Sequence, residues 1–266
     1  MIAFFAGGLL DGTGMSLLLL GFVLGLKHAL DADHLIAVST IVSERRGMLS
    51  SGVTGALWGV GHTTALLFVG VVIIALDLQI PERVALAMEM LVAFMLILLG
   101  INLLRQLLKG GTVHHHIHSH NGTTHIHPHL HTASVKREHT TTHSHQSLGL
   151  GSLLQLTKKH IRKGRRSILI GMIHGMAGSA ALMLIVLAAI PSVTLRLLYI
   201  TVFGIGSSGG MLVMSMLIGI PFVVTAGRFE KLNIVVRGFA ATLSVGFGVY
   251  FAWQVGIVEG LIVWGN

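Results

Sequence analysis

The sequence predicts an all-α, polytopic membrane protein with six transmembrane helices arranged as two inverted three-helix repeats. Of the 266 residues, 53% are hydrophobic and 11% are charged, and the mean hydropathy of +0.81 is far above that of soluble domains. Six apolar runs reach the length of about 20 helical residues that a hydrocarbon core requires. They cover residues 15–42, 52–76, 84–108, 167–190, 196–220 and 234–258. The 34 glycines and the absence of cysteine favour closely packed helices over a disulfide-stapled secreted fold.

The basic residues lie almost entirely on one side of the predicted membrane. The loops after the first, third and fifth spans contain 15 Lys and Arg residues, whereas the opposite loops contain only Arg83 and Arg196. Because cytoplasmic loops carry the excess of Lys and Arg, we expect these three loops in the cytoplasm and both termini outside. The net charge of +8 is therefore a topology signal, and we expect no nucleic-acid partner. The predicted location is the prokaryotic inner (plasma) membrane, with lipid around the helices.

A change in composition divides the chain into three parts. Residues 1–109 form the first three-helix repeat, 110–165 a His-rich cytoplasmic linker, and 166–266 the second repeat. Between His114 and His145 lie 12 of the 17 histidines, separated mainly by Ser, Thr and Gly. This composition predicts a linker without regular structure, whose neutral imidazoles can capture, buffer or sense divalent ions. A solubilising spacer is the alternative interpretation.

Three short matches relate the two halves at nearly one offset. They pair 25–30 with 171–176 at an offset of 146, 59–63 with 204–208 at 145, and Gly100 with Gly248 at 148. Because each repeat contains three spans, an odd number, the two halves must have opposite orientations in the membrane. Inverted repeats with a binding site near the midplane are typical of secondary transporters.

The first span contains four side chains that can bind a metal: His28, Asp31, Asp33 and His34. A charged side chain inside a membrane is costly unless it is paired, so a functional partner is expected. On a continuous helix, His28, Asp31 and His34 share an arc of about 120°, and Asp33 lies on nearly the opposite side. Either Asp33 supports the site from behind, or the helix is broken and all four side chains converge. A buried polar network that only holds helices together is the alternative.

Other polar residues extend the candidate site. His62 lies near the middle of the second span, and His174 is the repeat mate of His28; each is either a ligand or a hydrogen-bonded core histidine. The second half has Ala177 and Ser179 where the first has Asp31 and Asp33. Lys27 is a candidate ion-pair partner of Asp31 and a candidate gate. Supporting or gating roles are also predicted for Thr63, Ser179 and Ser207.

The ligand types predict the class of ion. Imidazole suits nickel, cobalt, zinc and copper, whereas calcium and magnesium prefer mostly oxygen ligands. We therefore expect a divalent transition metal as a transported substrate, no catalytic cofactor and no enzyme activity. A membrane metalloenzyme and a metal-sensing accessory subunit are the alternatives. Against an enzyme, the sequence contains no His-Glu-x-x-His motif and no recurring desaturase-type histidine boxes.

These motifs resemble the nickel/cobalt transporter family (NiCoT) and its UreH-like relatives. The family signature His-x-x-Asp-x-Asp-His reads His28, Asp31, Asp33 and His34 here, and a second motif reads Gly61-His62-Thr63. The segment around His174 is similar to the UreH-like branch, and the His-rich linker is similar to the nickel/cobalt efflux branch. The resemblance implies transport of Ni²⁺ or Co²⁺, with uptake favoured over efflux. It also implies a metallochaperone, or a urease or hydrogenase maturation system, as a partner.

The charge distribution generates a topological prediction. In separate Ser119→Cys and Asn266→Cys variants of the otherwise cysteine-free chain, the introduced thiols should react with impermeant reagents from opposite sides of the membrane. The His-rich linker should react from the cytoplasmic side and the C-terminus from the outside. Reaction of both positions from the same side would refute the six-span topology.

Overall fold

The computed structural model describes residues 12–45, 47–76, 81–109, 113–120, 123–130, 164–176 and 190–262. Seven helices lie within these ranges, and we number them in chain order. They are α1 (Gly12–His28), α2 (Ala32–Val42), α3 (Met48–Leu76), α4 (Glu82–Leu108), α5 (164–176), α6 (Val193–Arg228) and α7 (Glu230–Trp253). A π-helical turn, Gln254–Val258, continues α7.

The first span is broken in the middle. Helices α1 and α2 meet at an angle of 56° across a break of three residues. Asp31 is the N-cap residue of α2 and has extended backbone angles (φ −61°, ψ 146°), which are incompatible with a continuous helix. The last turn of α1 tightens to i→i−3 hydrogen bonds, from Leu30 N to Lys27 O and from Asp31 N to His28 O. Of the two geometries expected for this segment, the broken helix is therefore the one observed.

Long apolar helices make up the rest of the described core. Helices α3 and α4 and the segments Val193–Ala226 and Glu230–Val258 are each long and apolar enough to cross a membrane. The broken pair α1–α2 supplies a fifth span if it counts as one. These five match five of the six predicted spans. Of the remaining span, predicted over 167–190, the structure describes residues 167–176 and Ile190, and the residues between them lie outside the described ranges.

The helices pack as pairs that bring glycine onto a neighbouring backbone. Helices α3 and α6 run antiparallel, since Gly52 faces Met216 at one end and Thr63 faces Gly204 at the other. Helix α4 lies along α7, where Ser244 Oγ donates a 2.8 Å hydrogen bond to Leu96 O. Helix α1 packs on α6, and α5 packs on α3. Without a hydrophobic force between helices in lipid, such close contacts supply the packing energy.

The exterior is apolar and the interior contains the polar groups. Phe68, Leu98 and Phe239 are each at least 66% exposed, whereas the histidines on α2, α3 and α5 are completely buried. This arrangement is the reverse of a soluble protein and is expected where lipid surrounds the helices. The three histidines therefore lie where the surrounding helices shield them from solvent.

The linker prediction is wrong in one respect. Strands β1 (Val113–His120) and β2 (Thr123–Leu130) form an antiparallel hairpin, where we expected no regular structure. The register places His114 opposite His129, His116 opposite His127, and His118 opposite His125. His occurs at every second position from 114 to 120 and from 125 to 129, and Asn-Gly lies between the two segments in the sequence, a local hairpin signal that the compositional argument overlooked. The membrane-embedded part of the fold remains all-helical.

Two glycines of α6 provide a matched test of the helix packing. A methyl group at Gly206 would overlap Phe22 O of α1, whereas a methyl group at Gly209 would meet no atom within 4 Å. We expect Gly206→Ala to lower the free energy of unfolding by about 1–3 kcal/mol, the usual cost of overpacking. Gly209→Ala should leave it unchanged or slightly raise it. Thermal unfolding in detergent measures both, and equal midpoints would contradict the observed α1–α6 contact.

Candidate metal centre

The break in the first span gathers the four residues of the His-x-x-Asp-x-Asp-His motif. His28 ends α1, Asp31 caps α2, and Asp33 and His34 lie in the first turn of α2. His28 Nδ1 donates to Asp31 Oδ2 over 2.7 Å. This bond leaves the lone pair of a neutral His28 on Nε2, so Asp31 orients a ligand rather than acting as one. The side chain of Asp31 is 49% exposed, which agrees with a place at the edge of the site.

His62 of α3 faces the same lone pair. Its Nε2 lies 3.3 Å from His28 Nε2, and the His62 ring centroid lies 5.2 Å from that of His34. A first-row metal ion with bonds of about 2.0–2.1 Å holds two nitrogen ligands roughly 2.9–3.4 Å apart. His28, His34 and His62 offer ligand atoms that all lie within 4.8 Å of one another. Three imidazoles from α1, α2 and α3 therefore form one group with metal-binding spacing.

Asp33 joins a second group on the other side of His34. Its Oδ1 accepts a 3.1 Å bond from His34 Nδ1, and its Oδ2 accepts a 2.9 Å bond from His174 Nε2 of α5. Asp33, His34 and His174 again offer ligand atoms within 4.8 Å of one another. A carboxylate that is buried among apolar helices is stabilised by these two charge-assisted bonds. The pairing also ties the first half of the chain to the second.

Each fully buried imidazole keeps one ring nitrogen without a hydrogen bond. His34, His62 and His174 are 0% exposed, and among the described residues His34 Nε2, His62 Nδ1 and His174 Nδ1 have no partner. A buried polar atom left without a partner costs about 1–3 kcal/mol. An unpartnered buried polar atom in a native protein calls for an explanation, and binding of an ion by the free nitrogen is one. His34 Nε2 is the clearest example, because Asp33 accepts a hydrogen bond from the other ring nitrogen and leaves Nε2 available to an ion.

Two aromatic residues that the sequence did not identify enclose the imidazoles. The Trp58 ring centroid lies 5.3 Å from those of both His34 and His174, and Phe203 lies 5.5 Å from His28. Trp58 is 1% exposed and Phe203 7% exposed, so both exclude water from the site. A signal was present in the sequence, since Trp58 and Phe203 are 145 residues apart, the offset of the second repeat match.

The remaining predicted residues lie around this core or outside it. Lys27 is exposed, and among the described side chains Asp31 pairs with His28, so the expected Lys27–Asp31 ion pair is wrong. The reason is the break, which places Asp31 at the N-cap of α2, where its carboxylate accepts a hydrogen bond from His28. Thr63 Oγ1 lies 3.0 Å from both Gly204 O and Ser208 Oγ and links α3 to α6. Ser207 is buried, with no hydrogen bond to its hydroxyl in the described structure, and Ser179 lies outside the described residues.

A cavity of about 380 Å³ lies at one end of the bundle. It lies between α2, α4 and α5, and its polar end contains Glu44, Arg45 and Arg166. Burial lowers the pKa of the Arg45 guanidinium; Glu44 opposes this shift and Arg166 adds to it. One residue of the cavity wall, Ile170, precedes His174 by one helical turn on α5.

Comparison with known proteins gives one informative match. No protein-family model matches the chain, and no solved structure matches it. The chain is 37% identical over 249 residues to the urease accessory protein UreH of Bacillus sp. (strain TB-90). The match covers 93% of this chain and 95% of that relative, so it extends through both halves and the linker between them.

The geometry predicts unequal roles for the two acidic residues. Asp33→Asn removes the acceptor shared by two imidazoles, whereas Asp31→Asn disturbs only His28. Because lost supporting contacts typically weaken metal binding by about 10–100-fold, we expect Asp33→Asn, which affects two imidazoles, in this range and Asp31→Asn, which affects one, below it. Nickel calorimetry should use the full-length chain with the 12 linker histidines changed to Gln, which removes their background. A larger effect of Asp31→Asn would contradict the observed arrangement.

Proposed function

Because the chain belongs to the UreH-like branch of the nickel/cobalt transporter superfamily, we propose that it moves nickel or cobalt across the membrane through the buried His/Asp cluster. The chain is an integral membrane protein, and the prokaryotic plasma membrane is its location. The observation that carries the proposal is the joining of four buried imidazoles and one carboxylate, from α1, α2, α3 and α5, in the interior of apolar helices.

The donor set supports a transition metal over the abundant alkaline-earth ions. The cluster supplies mainly imidazole nitrogens, whereas calcium takes six to eight oxygen ligands and magnesium keeps much of its water. Asp33 supplies one negative charge that offsets part of the charge of a divalent ion in a medium of low dielectric constant. Zinc and copper can compete through the ordinary affinity order, so nickel or cobalt preference rests on the family.

Inverted repeats are part of the proposal, and reciprocal contacts support them. In two units related by a two-fold axis, each contact between the units occurs twice. If one residue of the first unit contacts a second residue of the other unit, the repeat mates of these two residues also contact each other. Gly25 lies against Phe203 O, and its mate Gly171 lies against the carbonyl of Trp58, the mate of Phe203. Helix α1 and its counterpart α5 thus make equivalent contacts on α6 and α3.

The same exchange recurs one turn further along these helices. Gly206 approaches Phe22 O, and its mate Gly61 approaches the backbone of Ile168, which is the mate of Phe22 at an offset of 146. Helices α4 and α7, the third span of each half, show the same exchange: Gly100 meets Val245, and Gly248 meets Ile97. Gly248 follows Gly100 by 148 residues, and Val245 follows Ile97 by the same offset.

Two hydrogen bonds join repeat mates directly, as residues near a two-fold axis should. Thr63 and Ser208 are 145 residues apart, and their hydroxyl oxygens lie 3.0 Å apart. Leu96 and Ser244 are 148 residues apart, and the Ser244 hydroxyl donates to the Leu96 carbonyl over 2.8 Å. The axis implied by these contacts passes between α3 and α6 and between α4 and α7, in keeping with a transporter whose halves rock against each other.

Nickel uptake for the maturation of an enzyme is the physiological role that we infer. The relative is named a urease accessory protein, and uptake of a metal ion is the activity by which a membrane protein would assist such an enzyme. A metallochaperone or maturation protein in the cytoplasm would then receive the ion, and the His-rich linker would buffer it. Export through the same cluster is the competing direction.

Reconstitution into liposomes tests the transport function. The purified full-length protein alone should accumulate nickel or cobalt, and millimolar magnesium should not compete with micromolar nickel. His34→Ala should reduce uptake to the rate of empty liposomes, since it removes the imidazole that belongs to both ligand groups. Changing the 12 linker histidines to Gln is the matched histidine control and should leave uptake measurable.

Two outcomes would contradict this function. No transport by a monodisperse, nickel-binding protein would favour a metal-sensing accessory subunit. Normal transport by His34→Ala would show that the buried cluster is structural and that the ion crosses elsewhere.

A further inference from the structure

We propose that the transported ion occupies two alternative positions in the cluster and that His34 is the ligand common to both. Position A is bounded by His28, His34 and His62, and position B by Asp33, His34 and His174. This inference rests on the proposed transport function and specifies how the ion advances within the site.

His34 lies midway between the two positions. Its ring centroid is 4.4 Å from that of His28 and 4.3 Å from that of His174. The separation of His62 and His174 is larger, at 5.9 Å between centroids, so these rings belong to different sides of the cluster. A single ion in contact with all four imidazoles and Asp33 would need the whole cluster to contract, whereas each three-residue group already has its ligand atoms within 4.8 Å of one another.

The hydrogen bonds prepare the ligands for position A. His28 Nδ1 donates to Asp31 and His34 Nδ1 donates to Asp33, which leaves the lone pair of each neutral imidazole on Nε2. The first of these lone pairs faces His62, and His34 Nε2 has no other partner among the described residues. An ion at A would therefore bind three imidazoles while the two carboxylates stay behind them.

Position B requires the other tautomer of His34. An ion that binds Asp33, His34 Nδ1 and His174 Nε2 replaces the two N–H···O bonds that Asp33 accepts. The ring proton of His34 then has to lie on Nε2. In position A the proton lies on Nδ1 instead, and Nε2 carries the lone pair that binds the ion. Because a neutral imidazole has one lone pair, His34 can serve A or B but not both. Two divalent ions in positions that share one ligand would also repel each other strongly, which favours single occupancy.

The two positions differ in one pair of repeat mates, His28 at A and His174 at B, and these two have equivalent surroundings. His28 packs on Phe203, and its repeat mate His174 packs on Trp58, the mate of Phe203. Each position thus combines a histidine from one half with an aromatic ring from the other. If the halves are inverted, His28 and His174 are displaced in opposite directions along the membrane normal.

X-ray absorption spectroscopy of bound nickel distinguishes the positions, because imidazole rings and carboxylates scatter differently. The sample is the full-length chain with the linker histidines changed to Gln, which should bind one nickel ion. His174→Ala disables only B and should give three imidazole ligands. His28→Ala disables only A and should give two imidazoles and added oxygen scattering. His28→Gln and His174→Gln serve as second variants if either alanine protein is unstable.

Affinities provide an independent criterion. Removal of one of two comparably populated positions should weaken binding only about two- to tenfold, since the other remains competent. His34→Ala and the double variant His28→Ala/His174→Ala should each weaken binding far more than either single change. Thermal unfolding of the metal-free proteins checks that the variants remain folded.

The outcomes separate this proposal from the proposed function. Loss of binding in either single variant, the same ligand set in both, or two ions bound at once would overturn the two-position arrangement and leave a single-site transporter. No nickel binding by the parent protein would overturn the proposed function itself.

Discussion

The pairing of Asp33 with two imidazoles is the interaction on which the centre of this protein depends. A carboxylate in the interior of apolar helices requires hydrogen-bond donors, and Asp33 obtains one from its neighbour His34 and one from His174, 141 residues away. To make both bonds, α2 has to begin at a break in the membrane-spanning segment, and α5 has to approach it closely. The position of His174, and with it the second ligand group, follows from this one buried charge.

Close backbone contacts provide the approach that this pairing needs. Gly175 lies against the carbonyl group of His62, and Gly171 against that of Trp58, so α5 rests directly on α3. A larger side chain at either glycine would push His174 away from the cluster. The small residues that pack the helices in lipid therefore also set the distances between the candidate metal ligands. Stability and ligand geometry are coupled here through the same atoms.

The two halves complete each other instead of forming separate units. Helix α1 packs on α6, and α5 packs on α3, so each half contributes a helix to the other. Under the proposed inverted-repeat arrangement, a rocking motion at this interface would change the separation of His28 from Phe203 and of His174 from Trp58 in opposite senses. Because His34 is shared by the two proposed positions, it would then connect the movement of the halves to the movement of the ion.

Local patterns in the sequence predicted the helical class, five of the described spans and a His/Asp cluster that includes His28, Asp33, His34, His62 and His174, because apolar length and intramembrane charge are visible without coordinates. They did not predict the Asp31–His28 pairing, the exposed place of Lys27 or the hairpin in the linker. Nor did they separate the ligands into two groups. The helix break determines the Asp31–His28 pairing and the place of Lys27, and contacts between residues more than 100 positions apart determine the two ligand groups, because a periodicity argument contains no information about neighbouring helices. The hairpin is local, and an argument from composition alone overlooked it. Only tertiary packing decides which imidazole meets which carboxylate.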